Sequence, residues 1–351
     1  MNNKTFLKFF SAIVAFVLFS SINGFKVYAE GTKNNKIQNE ISYIESVLPS
    51  FLYGHDVISN DIYISESFNT YNIDTMKRSE ADTYVIFDAE NIIGLLTVDY
   101  IGDKFFSSFE YGSFETLQSI YERNSEMAFV SYNEKLYIIN NSIINPIDDE
   151  YAEVEFTIPN LESEKIIKKS KIENNRNTNS GYYYMKNISV PIVANALSPA
   201  GNGLCWAASI ASKYDYISGN NLIAMDIYDA LVDVYGGIPV GTNLWESRAF
   251  SYLNMNASYL SRMMDCSEIL SNIQAYNPIY IGLARTGGAH AVLLCGITFL
   301  LDDSGIYRIM DPNRSVYVDI AVSEDTMNGD DQLTYVTSYG YTYTSWFDSW
   351  Y

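Results

Sequence analysis

The chain has 351 residues, of which 48% are apolar and 18% charged, and a formal net charge of −20. This composition excludes a disordered or fibrous chain, and the length holds two domains with cores of their own. The acidic balance argues against a nucleic-acid partner, because phosphate contacts need clustered Lys and Arg.

Residues 1–29 have the layout of a signal peptide. Lys4 and Lys8 make a positive start, residues 9–19 carry no charge and are almost all apolar, and Val27-Tyr28-Ala29 puts small residues where a signal peptidase reads. The apolar run is too short for a comfortable transmembrane helix, and no second run of spanning length follows. The expectation is a secreted, extracellular protein with no stable membrane insertion once the signal is removed. Only three cysteines follow, Cys205, Cys266 and Cys295. A fold stapled by disulfides carries an even set of several, so this fold does not depend on a disulfide framework.

Residues 30–161 read as an α+β domain. Ile37, Ile41, Ile44 and Leu48 have helical spacing and predict a helix over 37–52. Strands are expected at 84–87 and 92–100 across the turn 88–91, then at 105–111, followed by a helix at 114–122. A second hairpin, 127–132 and 135–139, turns at Asn133-Glu134. His55, in a Gly-His-Asp turn with no Cys or His nearby, reads as a structural or surface residue. The stretch 162–185 holds Lys165, Lys168, Lys169, Lys171 and Arg176 and then, at 177–181, Asn-Thr-Asn-Ser-Gly. It is expected to be an exposed basic linker with a processing site, since proteases cut polar, flexible segments.

Residues 186–351 open with helices and finish with strands, which indicates α+β rather than a doubly wound fold. Helices are expected at 205–216 and at 222–235, the second stopping at Gly236-Gly237. The pairs Asn243/Glu246 and Asp265/Glu268 are spaced to cap two more. Strands are expected at 279–284, 289–299, 306–310, 316–320 and 333–343.

Three short segments carry the chemistry. In Gly201-Asn202-Gly203-Leu204-Cys205-Trp206-Ala207-Ala208-Ser209, a glycine-rich turn delivers a cysteine to the first position of a helix. Free N–H groups and the helix dipole stabilise a thiolate there. In Gly287-Gly288-Ala289-His290-Ala291-Val292, a histidine begins an apolar strand; it is the only imidazole in this half. In Arg308-Ile309-Met310-Asp311-Pro312-Asn313, a strand ends on a carboxylate. Adjacent strands can then set Asp311 against His290, where it orients the ring and stabilises the imidazolium of a Cys⁻/His⁺ pair. Cys266 and Cys295 lack such context and read as packing thiols.

These motifs, in this order, resemble bacterial papain-like cysteine peptidases of the staphopain and streptopain kind and the domain of the double-glycine, bacteriocin-processing peptidases. The resemblance covers about 186–345, and the N-terminal half more loosely resembles the propeptides of such enzymes. It implies a papain-like two-lobe catalytic domain, a helical lobe plus an antiparallel sheet lobe, preceded by an α+β prodomain. It also implies Cys205 as nucleophile, His290 as base and acid, and Asp311 as third member, with Asn313 as runner-up. Such enzymes usually place an oxyanion-binding Gln six residues before the cysteine. Pro199 stands there, leaving Asn202 or Ser198, with Asn195 as a further candidate, to take that role beside the Cys205 N–H.

The expected function is a secreted cysteine endopeptidase made as a zymogen, acting on protein or peptide substrates and inhibited by its own N-terminal half. No cofactor or metal is expected: Gly-Asn-Gly-Leu-Cys is not followed by Lys-Ser/Thr, and the Cys and His spacing is not of the zinc type. Two alternatives use the same residues, a Cys-dependent acyl transferase or amidase and a catalytically weak peptide-binding module.

Overall fold

The structure is a computed structural model and describes residues 37–140, 143–147, 165–172 and 182–351. The signal-peptide expectation lies outside the described residues. The chain divides into two compact units, 1–46 and 47–351. Of the first, residues 37–46 are described and are helical; that helix, α1, runs over 37–53, as the spacing of its apolar residues predicts.

In the N-terminal half of the larger unit the strands are β1 (Ile62–Ser65), β2 (Tyr71–Asn72), β3 (Lys77–Arg78), β4 (Asp82–Asp88), β5 (Asn91–Ile101) and β6 (Lys104–Tyr111). After helix α2 (Glu115–Glu122) come β7 (Glu126–Tyr132), β8 (Lys135–Asn140) and β9 (Ile143–Pro146). The turn between β7 and β8 has positive φ at both Asn133 (49°) and Glu134 (59°), the geometry of a tight type I′ hairpin.

The expected linker differs from its prediction. Lys165–Ile166 forms β10 against β7, and Lys169–Lys171 forms β11 against β1. The lysines are anchored there: Lys165 Nζ lies 4.5 Å from the Phe68 ring centroid, and Lys171 pairs with Asp61 at 3.0 Å. An alternating polar pattern at a sheet edge looks like linker in sequence, because an edge strand needs few apolar residues. Residues 173–181, which include Arg176, lie outside the described residues. The next strand, β12 (Tyr182–Asn187), already pairs with residues 296–300 of the C-terminal half.

The C-terminal half supplies α3 (Cys205–Ser218), α4 (Ala224–Tyr235), α5 (Asn243–Tyr252), the short β13 (Tyr259–Leu260) and α6 (Cys266–Gln274). Its sheet is built from β14 (Ile279–Arg285), β15 (Gly288–Leu300), β16 (Gly305–Asp311) and β17 (Val316–Val322). A short helix α7 (Glu324–Asn328), a hairpin β18 (Tyr335–Val336) and β19 (Thr342–Tyr343), and a last strand β20 (Ser345–Trp350) finish the chain. The class is α+β, with seven helices among the described residues.

Local signals set several boundaries. Asp265 caps α6 in a reciprocal box with Glu268. Helix α3 stops at Gly219 with φ 71°, and α4 at Gly236 with φ 68°. The expected box Asn243/Glu246 is absent: Thr242 is the N-cap of α5, and Glu246 is buried, accepting from Tyr280 Oη (2.7 Å) and Trp350 Nε1 (3.0 Å). The single strand expected at 333–343 is instead a hairpin turning at Gly340, φ 86°, where a side chain would approach Ser79.

One twelve-stranded sheet runs in the order β11-β1-β4-β5-β6-β17-β16-β15-β14-β20-β13, with β12 also on β15. The two halves of the sequence therefore share a sheet, joined where β6 pairs antiparallel with β17 through Glu110↔Val318, Phe109↔Asp319 and Ser108↔Ile320. Strand β15 is an apolar run buried along nearly its whole length, with α3 and α6 packed on it. That packing brings the cysteine helix to the histidine strand.

Candidate active site

Helix α3 begins at Cys205, and no side chain caps its first turn, so the N–H groups there face the position of the thiol. Gly201, φ 79°, makes the turn that leads in, and the fully buried Leu204 anchors it. The small buried residues Ala207, Ala208 and Ala211 let the helix lie close to the sheet. Ser209 Oγ donates to the Ala291 carbonyl at 3.1 Å, tying the helix to the residue after His290.

His290 and Asp311 are brought together as expected. His290 Nε2 lies 2.9 Å from Asp311 Oδ1, and both side chains are wholly buried. Nε2 is thus committed to Asp311, which leaves Nδ1 for another partner. Burial by itself opposes a charged imidazolium, but the Asp311 carboxylate outweighs it, and the nearby Cys205 sulfur adds to the effect. The ring is held well above the ordinary histidine range. Burial also pushes the Asp311 carboxyl up, yet the His290 charge, the Tyr335 hydroxyl and the Asn313 N–H together hold it below the usual carboxylate value.

Asp311 is well supplied with donors. Tyr335 and Tyr339 donate to Oδ2 at 2.6 and 3.1 Å, and the Asn313 N–H donates to Oδ1 at 2.8 Å. The tyrosines come from the C-terminal hairpin, in the segment expected as a single strand. A carboxylate buried at a strand end must find donors, and neighbouring Tyr residues were the available signal.

Asn313 stands on the other side of the ring, its Nδ2 3.4 Å from His290 Nδ1. Its Oδ1 accepts from Asn195 Nδ2 at 2.6 Å, while Asn195 Oδ1 accepts from the Leu204 N–H at 2.8 Å. Asn195 is therefore a brace between the cysteine turn and the Asp311–Asn313 turn. Ser198 and Asn202 lie within the turn before Cys205: the Asn202 N–H donates to Ser198 Oγ at 3.1 Å, and Ser198 N–H to the Asn202 carbonyl at 2.8 Å. The Asn202 side chain is exposed and Ser198 is buried.

The other thiols behave as packing groups. All three cysteines are free. Cys295 is fully buried, its thiol pushed far up by burial, and Cys266 is half-buried and also raised by burial. His55 is structural: it stacks on Tyr111 at 4.1 Å and lies 2.8 Å from Asp319, which Arg308 also holds.

Two residues that sequence reasoning did not single out reach the site. Glu134, at the β7–β8 turn, accepts from Asn313 Nδ2 at 2.8 Å and from Arg285 Nη2 at 2.9 Å.

A cysteine at an open helix start, beside a buried histidine–carboxylate pair, is the equipment of a thiol hydrolase. Residues 185–328 match the family model of the papain-like cysteine protease AvrRpt2. The matched span contains Cys205, His290, Asp311 and Asn313 and excludes the N-terminal half and the last strands. The match supports a papain-like cysteine protease, a hydrolase acting on peptides, and agrees with the α+β class. A comparison with curated proteins returned no match.

Proposed function

We propose that the chain is a secreted cysteine endopeptidase made as an inactive precursor, in which Cys205, His290 and Asp311 act as a triad. The observation that carries this reading is the His290–Asp311 contact beside the uncapped start of α3. Cys205 passes its proton to His290, and the thiolate attacks the peptide carbonyl carbon. His290 returns the proton to the leaving amine as the C–N bond breaks, giving a thioester on Cys205. Water, deprotonated by His290, then releases the acid and restores the thiol. Asp311 keeps the ring oriented and stabilises its charge throughout. The Cys205 N–H, with Asn202 or Ser198, is assigned to the oxyanion.

Secretion rests on the layout of residues 1–29, and the zymogen organisation on the resemblance to the staphopain and streptopain kind. In this reading the N-terminal half is the intramolecular inhibitor, and the maturation cut falls in 162–185. The test is mass spectrometry of the secreted protein, wild type beside Cys205→Ala, with an epoxide thiol inhibitor as a second probe. A shortened wild type that reacts at Cys205, with an uncut variant, is the expected result. Cleavage of protein substrates by Cys205→Ala would overturn it.

A further inference from the structure

We propose that Arg285 and Asn313 form a carboxylate subsite beside the reactive pair, filled by Glu134 in the precursor and by an acidic substrate side chain once the hairpin leaves. This deepens the function proposed above and rests on it for the identity of the substrate.

The cradle is held rigid from several directions. The Arg285 guanidinium lies 3.8 Å from the Tyr341 ring centroid and leans on Tyr343 at 5.8 Å. Gly288 makes this possible, since a Cβ there would come within 3.0 Å of the guanidinium carbon. The amide of Asn313 is oriented through a relay. A backbone N–H can only donate, so the Leu204 N–H fixes Asn195 Oδ1, which turns Asn195 Nδ2 towards Asn313 Oδ1. Asn313 Nδ2 is thereby aimed at Glu134 and at His290 Nδ1, the nitrogen that Asp311 leaves open.

Glu134 reaches this cradle from the N-terminal half, 151 residues before Arg285 and 179 before Asn313 in the chain. It occupies a left-handed position, φ 59°, that suits glycine far better than glutamate. The turn itself is held by Asp74, which accepts from the Asn133 N–H at 2.8 Å. A strained residue with its carboxylate gripped at both oxygens is a device for filling a site. Glu134 does not exhaust the cradle: Arg285 Nε is buried and has no acceptor among the described residues. A carboxylate from a less constrained chain can take Nε and Nη2 together, the fork geometry that arginine offers. His290, which Asn313 of the cradle meets at Nδ1, is only 2% exposed.

Two measurements on the full chain test this. The first is the rate at which iodoacetamide alkylates Cys205 in the uncut precursor, wild type beside Glu134→Gln and Glu134→Ala. The expected result is a rise of about tenfold or more, the size of one lost charged hydrogen-bond pair. Near-UV circular dichroism checks that each variant is folded, and Glu134→Gln keeps the turn's shape should Glu134→Ala fail. The second uses the processed enzyme and quenched peptides that differ only by Glu or Gln at each position around the scissile bond. One position should favour Glu by about tenfold in kcat/KM, and Arg285→Gln should bring that ratio near one, with Arg285→Lys intermediate. Unchanged alkylation rates, or a Glu preference that survives Arg285→Gln, would overturn the subsite. Alkylation needs no turnover, so a wild type that cuts no peptide defeats the endopeptidase reading while the first measurement still decides the plug.

Discussion

Asp311 Oδ1 sits 2.9 Å from His290 Nε2, with both side chains shut off from solvent. Asn313, the other candidate for this place, stands instead at Nδ1, 3.4 Å away and bonded to Asn195 and Glu134. The two residues should therefore differ in kind. Asp311→Ala should lower kcat by about 10³–10⁴-fold, the scale seen when a triad carboxylate is lost. Asn313→Ala should lower it by a clearly smaller factor. Steady-state kinetics on the processed enzyme checks the order; the larger loss at Asn313 would make Asn313 the third member.

Asn195 has both amide atoms engaged, one on the cysteine turn and one on the turn after Asp311. Asn195→Ala removes a brace and leaves a buried amide and a backbone N–H without their partner. The cost should be about 1–3 kcal/mol in urea unfolding. Activity should fall as well, since a small misplacement of the thiol suffices to slow attack. Asn195→Asp should restore part of the stability if the acceptor for Leu204 N–H matters most. A variant that unfolds like wild type would remove the bracing role.

The join between the halves bears on activation. Glu110 on β6 holds Arg314, whose side chain is fully buried, at 2.8 Å to Nη2 and 3.1 Å to Nε. The same strand pairs with β17, and Ser108 donates to the Val336 carbonyl. Tyr339, a donor to Asp311, belongs to the N-terminal core. A cut in 162–185 should thus leave two fragments that stay together and remain inactive. Activity should appear only when the N-terminal fragment dissociates or is degraded. Native mass spectrometry beside a peptide assay reads both. Glu110→Ala, which takes the buried Arg314 from its carboxylate at a cost of about 3–5 kcal/mol, should make the fragments separate sooner.

Much of the catalytic half is legible in the sequence for physical reasons. Cys205 follows a glycine turn and precedes small residues, His290 follows a glycine pair, and Asp311 precedes a proline that stops its strand. Each of these is a local constraint. Glu134 and Arg285 were harder to see because they meet across more than a hundred residues, with no local pattern to mark them; Asn195 stands out near the cysteine turn, but its bracing role needs Asn313, 118 residues on. The shared sheet was hidden for a similar reason. Both β6 and β17 look like ordinary half-buried strands, and nothing in either says which strand it meets. The lysine strands were misread because an edge strand and a polar linker have nearly the same composition.

The last prediction concerns pH and stability. Asp348 on β20 is buried against Gly282 of β14, and its carboxyl is pushed up to about 7, mainly by burial and then by the nearby Glu246 charge. Between its unfolded value near 3.8 and about 7, the folded protein keeps a proton that the unfolded chain releases. Stability from this group is therefore present at the acid end and is lost as pH rises through about 7. Asp348→Asn stays neutral throughout, so its gain in unfolding temperature over wild type should be largest at pH 8, smaller at pH 5 and gone near pH 4. Thermal unfolding of both proteins across that range isolates the effect, because all other titrating groups are common to the pair. A difference in Tm that does not change with pH would mean that Asp348 is charged in the folded protein at both ends.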